Sequence, residues 1–139
     1  MRHWLFKTEP SCWSWQDQLA RGERGEEWDG VRNYQARNYM REMKPGDRGF
    51  FYHSQTEKAV VGIVEVRAEA HPDSTTDDPR WDAVDIRAVA SVKTPVTLKM
   101  IKADPRLSDM VLVKNARLSI QPVTEEEWRV ICGLAGLAD

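Results

Sequence analysis

The chain predicts an α+β fold, a small curved sheet of about five strands that closes toward a barrel and carries short helices around it. Three observations point to that class. Residues 60–68 and 84–92 alternate apolar with polar side chains, the period of strands with one buried face. Helix-start signals stand at Ser14, Asn33 and Thr124, and the helices they open are short. No long helix separates the two central strands, which disfavours a doubly wound parallel sheet. At 139 residues the chain fits a single domain, 1–139, able to bury a core without staples.

The elements follow in order. Residues 3–7 read as a largely apolar strand ending before Pro10. Ser14 caps a short helix through Ala20, stopped by Gly22, and residues 23–29 read as a polar loop. Asn33 caps a second helix with Ala36, Met40 and Met43 on one face and Arg37, Arg41 and Lys44 on another; Pro45-Gly46 ends it. Residues 49–54, with Phe50, Phe51 and Tyr52, have a strand composition. In 60–68, Gly62 leaves room for a bulge or a close approach. Residues 71–81, rich in Pro, Asp, Ser and Thr, read as a long loop before the strand 84–92. A brief helix is expected over 97–103, and a last strand over 117–121 stopped by Pro122. Thr124 and Glu127 then form a capping box, with Val123 and Trp128 placed as a hydrophobic staple, so Trp128 is structural.

Composition excludes several classes. Hydrophobic content of 41% and charged content of 30% are those of a globular protein, and no apolar run approaches the roughly 18 residues of a membrane span. The apolar part of the first residues is too short for a signal peptide, so a cytoplasmic protein is the default expectation. Cys12 and Cys132 lie far apart without metal-ligand spacing and are expected to remain inert thiols. A net charge of −2 argues against bulk polyanion binding, but the charge is segregated. Arg32, Arg37, Arg41, Lys44 and Arg48 face only Glu42 and Asp47 within their stretch, whereas Glu69, Asp73, Asp77, Asp78, Asp82 and Asp85 face only Arg80. A basic flank of that kind makes a local nucleic-acid site while the acidic side repels generic binding.

Catalytic and metal motifs are missing. His3, His53 and His71 are scattered without HExxH spacing, and no phosphate-loop, dinucleotide or nucleophile-elbow motif occurs. The acidic loop 73–78 lacks the ligand spacing and glycine of a calcium loop. His53 and Ser54, neighbours on a strand, point to opposite faces and do not make a base–nucleophile pair; Glu9 has no second carboxylate at useful spacing. No metal, cofactor or catalysis is expected.

The most distinctive stretch is Trp28-Asp29-Gly30-Val31-Arg32-Asn33-Tyr34-Gln35-Ala36-Arg37-Asn38. Two readings fit it. In one, Trp28 is core, Asp29-Gly30 a turn and Asn33 a helix N-cap. In the other, the aromatic faces, amide edges and guanidinium forks bind a nucleobase and its backbone.

Four blocks in order give this chain its resemblance to the EVE domain family: Trp4-Leu5-Phe6-Lys7-Thr8-Glu9-Pro10, the Trp28 stretch, Phe50-Phe51-Tyr52-His53-Ser54, and Arg117-Leu118-Ser119-Ile120-Gln121-Pro122. The loop between the first two is shorter than in longer members. The resemblance implies a PUA-like fold, a compact β-barrel of five to six strands with flanking helices, related to readers of methylated adenine. It also implies a non-catalytic reader that flips a modified base, most often a 5-substituted cytosine in DNA, into an aromatic pocket.

On that basis Trp28 and Tyr52 are candidate stacking platforms, and Asn33, Ser54 and Glu9 candidate edge readers. Lys7, Arg32 and Arg37 would neutralise the backbone, and His53 would meet a phosphate or a base edge. Trp81 is a candidate second wall, Trp4 is assigned to the core, and Trp13 and Trp15 carry no assignment. The expected partner is nucleic acid with a modified base, alongside a protein effector, and no membrane. The rival readings are a PUA-like RNA binder, a small nucleic-acid hydrolase and a groove-bearing adaptor.

Overall fold

The computed structural model describes residues 1–55, 57–115 and 117–137. The chain forms β1 (His3–Thr8), α1 (Trp15–Ala20), a 3₁₀ turn (Gly22–Arg24), β2 (Glu26–Trp28), α2 (Tyr34–Glu42), β3 (Arg48–His53), β4 (Ala59–Pro72) and β5 (Asp82–Thr97). There follow α3 (Leu98–Ala103), a 3₁₀ turn (Pro105–Leu107), α4 (Val111–Lys114), β6 (Ile120–Val123) and α5 (Glu125–Leu134). The α+β class stands.

The strands make one mixed sheet in the order β2-β5-β4-β3-β1-β6. β1 runs parallel to β3, and the other pairs are antiparallel. The expected closure to a barrel does not occur: among the described residues the edges β2 and β6 do not pair. Both edges are short, and Pro122 in β6 has no N–H to offer a further strand. Pro122 therefore lies inside the last strand rather than stopping it, a correction to the boundary expected from sequence.

The sheet is covered on both faces, not one. Trp4 and Phe6 of β1 and Phe51 of β3 enter one core with Trp28, Ala36 and Met40, while Leu5, Phe50 and Tyr52 enter the other with Trp128 and Ile131. The strand period of two thus sorts alternate apolar residues into two cores, and continuous apolar runs in β1 and β3 are the result. Trp4 is fully buried, its indole N–H donating to Asp47 Oδ2 at 3.1 Å.

Local signals fix the helices. Ser14 and Thr124 each close a capping box, with Asp17 and Glu127 respectively. Trp128 is buried and stacks between His3 and Phe50, which confirms its structural role. β4 and β5 run longer than their alternation indicated, so His71 and Pro72 belong to β4 and the loop begins at Asp73. Residues 26–28 are a strand and not loop, because their partners Val84, Asp85 and Ile86 supply the ladder. Beside Gly62 the β4 register shifts and the Trp15 indole lies against the backbone, where a Cβ would overlap the ring. Cys132 is buried, but Cys12 is exposed, and the two are not bonded. Among the described residues no helix is long and apolar enough to cross a membrane.

Candidate nucleic-acid interface

A cavity of about 420 Å³ opens where β1 ends, between the segment following β1, strand β2 and the loop leading to α2. Trp13, Trp28, Lys7, Glu9, Asp29 and Arg32 are among its walls. That volume is in the range of small-ligand sites.

Trp28 borders this cavity but is 9% exposed. Its ring meets Phe6 edge-on at 5.3 Å and Phe51 at 5.7 Å between centroids. It is therefore a rigid floor anchored in the core and not a free-standing platform. The core reading of Trp28 holds, and the residue also borders the cavity. Trp13, left without a role by sequence reasoning, lines the same cavity and is less buried. Its indole N–H donates to Gln18 Oε1 at 2.9 Å, and the fully buried Gln18 donates through Nε2 to Ile86 O at 3.2 Å. Two hydrogen bonds thus preset the angle of a ring at the cavity mouth. The available signal was position: Trp13 immediately precedes the N-cap Ser14, where a side chain projects off the helix.

The opposite wall is a turn held from outside. Gly30, at φ +75°, donates its N–H to Asp73 Oδ2 at 2.9 Å, and Arg32 Nη1 reaches the same oxygen at 3.0 Å. Thr75 donates N–H and Oγ1–H to Asp73 Oδ1. Burial alone would raise this carboxyl, but the Thr75, Gly30 and Arg32 donors outweigh it and hold the pKa well below the ordinary range. Asp29, on the cavity, is shifted upward by burial and then by the neighbouring carboxylates Asp73, Glu27 and Glu26. A carboxyl so crowded is favoured by any donor brought to it.

Other predicted site residues separate. Asn33 is the N-cap of α2; its Oδ1 accepts from Ala36 N at 2.9 Å, so that oxygen is committed and the residue is no edge reader in the cavity. His53 is a clamp: Nε2 accepts from Trp15 N at 3.0 Å and Nδ1 pairs with Glu57 at 2.6 Å, which one neutral tautomer satisfies. It holds the start of α1 rather than meeting a phosphate. Arg37 donates to Arg80 O and Asn38 Oδ1 and lies over the Tyr34 ring, away from the cavity walls. Trp81 stacks on the half-exposed Tyr34 at 4.9 Å and is not a second wall. Arg41 pairs with Asp82 at 2.6 Å. The basic and acidic segments thus neutralise each other across the fold instead of presenting opposite faces.

Glu9 lies on the rim and accepts from Gln55 Nε2 at 3.2 Å. Tyr52 and Ser54 line an adjoining cavity of about 540 Å³, which shares Lys7, Thr8, Glu9 and Ser119 with the first. Tyr52 is 1% exposed, so its ring is core and only its polar end is available to the cavity; it is not a stacking platform. Ser54 donates Oγ–H to Thr8 O at 3.1 Å.

Comparison with known proteins places this geometry. A profile of the EVE domain matches residues 2–134. Human thymocyte nuclear protein 1 is 36% identical over 164 residues, covering 95% of this chain and 73% of that protein. A crystal structure of a protein from Agrobacterium tumefaciens is 60% identical, with a TM-score of 0.98 over 100% of this chain and 96% of the other. The crystal structure of human THYN1 in complex with DNA containing 5-methylcytosine is 34% identical, with a TM-score of 0.92 and 100% of both chains covered.

Proposed function

The chain belongs to the EVE domain family, and we propose that it is a reader of DNA carrying a 5-substituted cytosine, taking the modified base into the cavity between Trp13 and Trp28. The observation that carries this reading is that cavity, floored by one locked indole and walled by a second whose angle is preset. The likeness to the human THYN1 complex along the whole chain supports it.

Extruding a base costs a few kcal/mol, and stacking on one aromatic side chain returns about 1–3 kcal/mol. Two indoles in the cavity tip that balance toward entry. Selection then falls to the edges. Asp29, short of donors, accepts the exocyclic amine that cytosine presents and thymine lacks. Thr8 and Ser119 supply hydroxyls on the same cavity. A fit to the 5-substituent contributes about 1–3 kcal/mol, on the scale of one methyl slot. The reading contains no chemical step; the protein binds and hands its signal to a partner.

Competition binding with matched single- and double-stranded oligonucleotides tests it. The expected order is 5-methylcytosine DNA above cytosine DNA, with the preference abolished by Trp13→Ala and the oligonucleotides recovered unchanged in mass. Equal affinity for both strands in the wild type overturns the reading. Tighter binding of the matched RNA assigns the cavity to RNA, whose 2′-hydroxyl is the distinguishing group.

A further inference from the structure

We propose that the cavity adjoining the first is a phosphodiester subsite, which grips the backbone of the strand beside the inserted base. The identity of the strand rests on the reader function above; the anion chemistry of the subsite does not. Lys7, Lys58 and Arg117 line it against one carboxylate, Glu9, whose Oε1 is already engaged by Gln55. Lys7, Thr8, Glu9 and Ser119 belong to both cavities, so the two adjoin, as a base and the phosphate of its own strand require.

A second observation points the same way. Tyr52 packs its ring in the core, with the residue 1% exposed, and lines this cavity with its polar end. Burial pushes its pKa up to about 12, so the phenol keeps its proton and remains a donor. A phosphate oxygen in the cavity accepts a hydrogen bond from that phenol. Lys7 is shifted downward by burial and then by the charge of Lys58, and an anion between the two ammonium groups relieves that repulsion.

Lys58 is held in the left-handed region at φ +47°, with its carbonyl accepting from Leu98 N at 2.8 Å. Beyond it a shallow groove continues with Lys99 and Lys102, the direction in which the strand leaves. The cations of the Arg32–Arg48 segment do not compete for this task, since Arg32 and Arg41 are paired with Asp73 and Asp82.

The test is the salt dependence of binding to cytosine and 5-methylcytosine oligonucleotides by the full chain. Lys58→Gln with Arg117→Gln, both exposed positions, is expected to weaken both oligonucleotides about ten-fold or more. It should also lower the log–log salt slope by about 0.7–0.9 per lost phosphate contact. Tyr52→Phe, which keeps the buried ring, is expected to weaken both several-fold. Lys44→Gln, near the opposite end of β1, is expected to leave the slope unchanged. An unchanged slope in the double variant, or equal flattening by Lys44→Gln, overturns the subsite. Loss of methyl preference in the wild type with the slope effects intact overturns only the reader function, and absence of any binding overturns both.

Discussion

Arg32 Nη1 lies 3.0 Å from Asp73 Oδ2, and the same oxygen accepts the Gly30 N–H at 2.9 Å. One buried carboxylate from the acidic loop therefore fixes the turn that walls the base cavity. Segments of opposite charge about 40 residues apart are partners, and their pairing builds a wall instead of a field.

Asp73→Asn removes the charge but keeps the shape. Several charge-assisted hydrogen bonds weaken together, and a loss of about 2–3 kcal/mol is expected in chemical denaturation. The folded pKa of Asp73 is depressed, so its contribution is present above the unfolded value of about 3.9 and is lost as pH falls toward the folded one. Wild-type stability should drop through that acid window, and the variant should drop less.

Trp13 and Trp28 separate by kind of defect. Trp28→Ala removes a ring packed on Phe6 and Phe51 and is expected to cost about 3–5 kcal/mol of stability. Trp13→Ala should leave the melting transition nearly in place while weakening 5-methylcytosine DNA about ten-fold or more, the loss of one stacking face. A folded Trp13→Ala protein with unchanged affinity removes Trp13 from the site.

Sequence reading succeeded where the cause is local. Ser14, Asn33 and Thr124 cap helices through bonds to backbone three residues away, which spacing alone discloses. It failed where the cause is distant. Residues 26–28 become a strand only through β5, and β1 and β3 needed a second core to explain their unbroken apolar runs. The cavity residues Lys7, Glu9, Trp28 and Arg32 were legible in the family blocks, as were Tyr52 and Ser54 of the second cavity. Their division between two cavities was not, nor was the withdrawal of Asn33, His53, Arg37 and Trp81 into structural bonds. Those contacts join residues 38 to 47 positions apart, except the Asn33 cap, which spacing had already offered as the alternative.

Gly62 tests the contact between β4 and α1. Gly62→Ala places a methyl group in the Trp15 indole, and an overpacking loss of about 1–3 kcal/mol is expected by thermal or chemical unfolding. Trp15→Leu in the same chain should restore part of it by vacating the ring.

His71 supplies the pH signature near neutrality. Nε2 faces Asp85 at 2.9 Å and Nδ1 faces Pro72 O at 3.1 Å, so both nitrogens are best served by the protonated ring. Burial lowers the pKa, but the Asp85 and Pro72 bonds with the charges of Asp85 and Glu27 raise it above its ordinary 6.5. The stabilisation is full below the unfolded pKa and is lost as pH rises through the folded one. Titration of the ring by NMR should give a midpoint above 6.5, moved down by Asp85→Asn; a midpoint at or below the ordinary value contradicts the pairing.

The most direct measurement follows the indole N–H resonances while a 5-methylcytosine oligonucleotide is added. Trp13 and Trp28 should shift in a saturable manner, with Trp4 and Trp128 unmoved in their cores. Saturable shifts confined to Trp81, or none at Trp13 and Trp28 while the DNA binds, would contradict insertion of the base between these two rings.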